Sequence, residues 1–221
     1  MSDHGALLLD EGLSAGLWRL VRPRLASALT GLELAGEFGT VRITADDLPG
    51  DDDCWYRLLP GTDGAPGPVL AITCHPRIFC RHEPLLTTVH PPRAIWEQAA
   101  APRVEDPPGG DDFSLDRTDR FLHHHLLTVS DLYQGSIIGE DIPVHLAEAF
   151  AAAWAVCVDG RLERRHLPGY PMSERRGRFS RLFSSAGILL PDHWQVFQSL
   201  WEGALAGQRE VLGIARRLPR L

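Results

Sequence analysis

Phe121-Leu122-His123-His124-His125-Leu126-Leu127-Thr128-Val129-Ser130-Asp131 is the stretch on which the fold of this chain turns. At roughly 100° per residue, Leu115, Leu122, Leu126, Val129 and Tyr133 fall on one apolar stripe, and the spacing predicts a helix from Ser114 to Tyr133. His124, Thr128 and Asp131 share the adjacent face, because positions i, i+4 and i+7 overlap. His125 stands at the border of the apolar stripe and His123 points elsewhere. Three consecutive histidines therefore cannot share one helical face. Solvated or core-packed imidazoles are the plain expectation for the run, and a metal held through His124 is the sharper one.

The next helix is expected to start near Pro143, where proline suits a first turn, and to stop before Gly160. On it Glu148 shares a face with Val144, Ala151, Ala152 and Ala155. A carboxylate on an alanine-lined face implies close helix packing, with the acid turned toward a neighbour. Such burial is costly unless a metal, a histidine or an arginine satisfies the charge. His145 and Asp131 are the further donors that could join His124 and Glu148.

Two of these stretches resemble the gluzincin branch of the zincin metallopeptidases. Phe121 to Val129 is similar to the active-site helix of that family, with His124 at the first ligand position. Ala147-Glu148-Ala149-Phe150 is similar to its downstream helix, whose glutamate is the third zinc ligand. The resemblance implies a zincin-like α+β fold, with an N-terminal helix and a small mixed sheet ahead of a mostly helical C-terminal half. The H-E-x-x-H motif is degenerate, however. His125 occupies the position of the general-base glutamate, and Thr128 that of the second zinc-binding histidine. The resemblance thus implies a domain that has lost zinc-peptidase activity and works without a cofactor. It would bind an unidentified protein or peptide in the cleft between the sheet edge and the helix at His124. The alternative is a zinc-dependent hydrolase with a rearranged ligand set, namely His124, Glu148 and one of His123, His145 or Asp131.

Working outward, Leu13, Leu17, Leu20, Val21, Ala28, Leu29 and Leu32 recur at helical spacing, with Pro23 predicting a kink or break. Thr40–Thr44, Cys54–Leu59 and Val69–Cys74 read as strands, and Leu85–Val89 as an edge strand stopped by Pro91-Pro92. The acidic Pro/Gly-containing stretches between 46 and 53 and between 102 and 112 read as loops. A last helix is expected from Asp192, with Trp194, Phe197, Trp201, Leu205, Leu212 and Ala215 on its buried side. The order gives one α+β domain over residues 1–221, strand-rich across 36–100 and helical across 113–221.

Composition narrows the function. All 22 basic residues of the 221 are arginine, which excludes a Walker-A lysine, a kinase strand lysine and a Schiff-base lysine. The net charge of −7 argues against nucleic acid and anionic membrane as partners. Internal pairing with the acid clusters at 46–53 and 105–119 is accordingly expected for the arginines between Arg161 and Arg181. The apolar run Ala6–Leu9 is too short for a secretory signal, and no run approaches a membrane span. Cys54, Cys74, Cys80 and Cys157 form no C-x-x-C pair and are expected as buried thiols in a cytoplasmic protein. Oligomeric state is not encoded in any pattern here.

Overall fold

The computed structural model describes residues 6–46, 48, 54–61, 67–81, 110–183, 191–205 and 207–217. The chain starts as a β-α-β unit. Strand β1 (Leu7–Glu11) leads into helix α1 (Ala15–Gly31), which returns to β2 (Thr40–Ala45). Strands β3 (Cys54–Leu59) and β4 (Val69–Cys74) complete a sheet of order β1-β2-β4-β3. β1, β2 and β4 run parallel, and β3 pairs antiparallel with β4 in the register Cys54↔Cys74 to Leu59↔Val69. The small mixed sheet expected from sequence is present, with one strand more at its start. Leu85–Val89 lies outside the described residues, as does most of the 102–112 loop.

Ser14 ends the first turn and caps α1, its Oγ accepting the Leu17 N–H at 3.3 Å. Pro23 does not break the helix. It sits on an exposed face, where water can take up the carbonyl that proline leaves without its helical donor. The opposite face, Leu17, Val21, Leu25, Ala28 and Leu29, is fully buried and meets Val41, Ile43, Leu70 and Ile72 of the sheet in one apolar cluster.

Helix α2 (Leu115–Tyr133) packs on α1 and on α3 (Ala147–Arg164). Its burial is broader than one stripe: residues 121–127 are all buried, His123, His124 and His125 included. The ends of the expected stripe, Leu115 and Tyr133, are exposed instead. A helix with neighbours on several sides buries more than one face, so its central turns lose amphipathicity.

Helix α3 does not stop before Gly160 but runs on to Arg164. Gly160 serves close approach. A Cβ there would fall 2.8 Å from the carbonyl carbon of Trp201 and closer still to its oxygen, so only hydrogen lets the two helices touch. Trp201 belongs to α5 (Pro191–Glu202), which follows α4 (Met172–Phe183). The expected last helix is in fact two, because Gly203 adopts φ +83° and the chain resumes as α6 (Gln208–Arg217). The result is a four-stranded mixed sheet followed by a helical half, an α+β architecture. No described helix is long and apolar enough to cross a membrane.

Candidate functional site

The polar centre of the molecule is Asp159, the acid that directly follows the apolar run of α3 from Ala149 to Val158, and it is 1% exposed. A carboxylate this deep requires partners on every lone pair. His124 Nδ1 lies 3.0 Å from Oδ1, the Tyr170 amide donates to the same oxygen at 3.0 Å, and the Arg175 Nε–H donates to Oδ2. The Arg175 guanidinium also lies over the Tyr170 ring, 4.1 Å from its centroid. Its Nη2 approaches His124 Nδ1 at 3.2 Å. Since Asp159 can only accept, Nδ1 carries a proton and donates it to the carboxylate. The arginine approach is therefore an electrostatic contact, and Nε2 of His124 keeps its lone pair.

Charge follows from this geometry. Burial by itself pushes the Asp159 carboxyl up, yet His124 and Arg175 outweigh it and hold it below its ordinary value. Burial pulls His124 down against the attraction of Asp159, with Arg175 acting in the same direction as burial. His125 is lowered further, by burial first and then by His124, Arg175 and Arg178. Tyr56 is pushed well up by burial and by Cys54. Its hydroxyl is in direct hydrogen-bond contact with Nδ1 of His125. Both imidazoles are neutral at pH 7 and the phenol keeps its proton.

Tyr56, His124 and His125 border a cavity of about 410 Å³, within the usual range for small-molecule sites. Its polar wall is Cys54, Tyr56, His124, His125, Thr128 and Arg178. The apolar wall comes from Leu132, Ile137, Ile142, Ala155 and the stacked rings of Phe150 and Trp154, whose centroids are 5.5 Å apart. Strand β3 positions the first two residues. As the sheet edge it turns Cys54 and Tyr56 inward and Trp55 and Arg57 out, following the two-residue period. The opening thus lies where the sequence placed a cleft, between the sheet edge and the His124 helix.

The residues of the degenerate motif are distributed unevenly around it. His124, His125 and Thr128 line the cavity, and the Thr128 hydroxyl is spent on the His124 carbonyl at 2.9 Å. Glu148 does not turn toward a neighbour; it is exposed on the first turn of α3. A leading helical turn projects its carboxylate into solvent at little cost, and the dipole favours it there. His145 is exposed in a 3-10 turn at Val144–Leu146. His123 donates through Nδ1 to the Asp119 carbonyl at 2.8 Å. Asp131 accepts from Trp154 Nε1 at 2.9 Å and from the Arg161 guanidinium. Among the described residues no group of three or more histidine, cysteine, aspartate or glutamate side chains stands close enough to hold one metal ion. This donor set does not fit a three-ligand zinc centre.

Among the described residues, arginines between Arg161 and Arg181 pair internally with acids of the helices. Arg161 meets Asp131 and Arg175 meets Asp159, while Arg176 lies over the Trp194 ring at 4.3 Å. Asp159 and Tyr56 are not marked in the sequence, and Arg175 and Cys54 enter it only as one of a run of arginines and as an expected buried thiol. A lone aspartate inside an alanine- and valine-rich helix was the available signal, since it cannot be buried unpaired. Gly12-Leu13-Ser14-Ala15-Gly16 has the G-x-S-x-G spacing of a hydrolase nucleophile elbow and sits between a strand and a helix. Ser14 has φ −63° and ψ 145°, unstrained extended backbone, and its oxygen caps α1. It is a helix cap rather than an elbow.

Comparisons with protein-family models, with curated proteins and with solved structures find no match to this chain.

Proposed function

We propose that this protein is a binding protein that holds a small molecule in the cavity between β3, α2 and α3, on a zincin-like framework that no longer supports peptidase chemistry. One observation carries the reading. The cavity joins a hydrogen-bonding wall, neutral apart from the exposed Arg178, to an aromatic and aliphatic wall, and behind it Asp159 and Asp131 are each paired with an arginine. Supporting the zincin-like part are a small mixed sheet followed by two packed helices, and the contact of α2 with α3 through His124–Asp159 and Asp131–Trp154. The four cysteines, none of them in a disulfide, accord with a cytoplasmic location.

The metal-dependent alternative keeps one specific support. A histidine that donates to a carboxylate through one nitrogen and presents the other to a cavity is oriented as metal-binding histidines are. It lacks companions, with Glu148 in solvent and Asp131 held by Arg161.

The test uses the neutral fluorophore N-phenyl-1-naphthylamine, titrated into native protein and into Ala151→Trp, which fills the cavity from its exposed rim. Saturable binding to the native protein, lost in the variant at unchanged circular dichroism, is the expected result. Equal binding to both forms would place the probe elsewhere and remove this reading.

A further inference from the structure

The cavity has a charge asymmetry that its hydrogen bonds leave unexplained. Asp159, Arg175, Asp131 and Arg161 neutralise one another beneath it. Among the described residues no aspartate or glutamate lines it, and the two histidines and the tyrosine on its wall are neutral. The remaining ionised lining side chain is Arg178, on the exposed side of α4, which forms no ion pair among the described residues. Its charge reaches inward far enough to act on both His124 and His125. Opposite lie the Phe150 and Trp154 rings.

We infer that the ligand is a carboxylate carried on an aromatic or branched apolar body, with the carboxylate at Arg178 and the body against Phe150 and Trp154. This rests on the reading of the cavity as a ligand site. A single guanidinium fork matches one planar carboxylate with two parallel N–H···O bonds. A phosphate dianion would leave a charge uncompensated, because among the described residues no second cation lines the cavity. The stacked rings supply an apolar face with the geometry that aromatic ligands prefer.

Calorimetric titration with 4-phenylbutyrate and its neutral amide, 4-phenylbutanamide, tests the inference on native protein, Arg178→Gln and Ala151→Trp. The acid binds native protein roughly tenfold tighter than the amide, the factor expected of a hydrogen bond to a charged group. Arg178→Gln abolishes that preference, while Ala151→Trp removes binding of both. Equal affinity of acid and amide for native protein, or a preference that survives Arg178→Gln, overturns the inference while the cavity remains a ligand site. Binding of N-phenyl-1-naphthylamine without binding of the acid has the same meaning. Failure of all three probes overturns the ligand site and this inference together.

Discussion

His124 donates from Nδ1 to Oδ1 of Asp159 across 3.0 Å, thirty-five positions further along the chain. The bond joins the helix that carries the histidine run to the helix that carries Glu148, and it fixes which imidazole nitrogen faces the cavity. It also makes the Asp159 charge a requirement of the fold.

Asp159→Asn keeps the shape but leaves the buried Arg175 guanidinium without its counter-charge. Breaking a buried pair from one side costs about 3–5 kcal/mol. The urea midpoint is expected to fall accordingly, with the slope of the transition unchanged. Arg175→Met in the same background removes the orphaned cation and should recover part of the loss. A wild-type midpoint in Asp159→Asn would show that the network is not structural.

Acid should destabilise the protein from mildly low pH. His124 and His125 titrate below their ordinary value of 6.5 in the folded chain. The unfolded chain therefore binds protons that the folded one does not, and stability is complete above pH 6.5 and falls as pH drops beneath it. Each histidine contributes at most about 1.4 kcal/mol per pH unit within that window. Asp159 adds to the loss lower down, because its depressed carboxyl stabilises the fold above the unfolded value and ceases to as pH falls through the folded one. Urea titrations at pH 7.5, 6.5 and 5.5 measure the slope, and His125→Phe should shallow it. A flat profile across that range would contradict neutral buried imidazoles.

Gly160→Ala places a methyl group inside the Trp201 backbone. Overpacking of this kind costs about 1–3 kcal/mol, and here the clash is with backbone, so α5 must move off α3. The intrinsic gain in helix propensity, about 1 kcal/mol, should be overwhelmed. A stabilised variant would mean that the helices have room to separate.

Protein purified without a histidine tag should carry substoichiometric zinc and cleave neither casein nor peptides when zinc is added. His124→Ala should leave the metal content unchanged. Stoichiometric zinc that disappears with His124 would revive the rearranged ligand set.

Local signals served the sequence reading well and long-range ones did not. Helix α2 was legible because Ser114 caps it and apolar residues recur at helical spacing. β1 was missed because Leu7-Leu8-Leu9-Asp10-Glu11 contains no β-branched or aromatic residue, and its register comes from pairing with β2. The boundaries at Gly160 and Gly203 were misjudged for opposite reasons. One glycine accommodates a neighbouring helix, and the other supplies a positive φ that ends one. At the site, His124, His125 and Thr128 were marked by their spacing on one helix. Asp159 and Arg175 were not, because their meaning depends on contacts that span 35 and 51 positions to His124.

The Asp159 carboxylate gathers its partners from α2, from the turn at Tyr170 and from α4. During synthesis these arrive in a fixed order, and the cation comes last. A nascent chain that has exposed α2 and α3 but not yet Arg175 holds an acid it cannot bury and a histidine that only half completes the pair. The helical half is thus obliged to wait for α4, its third helix, before it closes, and the cavity forms late, on a sheet whose described strands were made earlier.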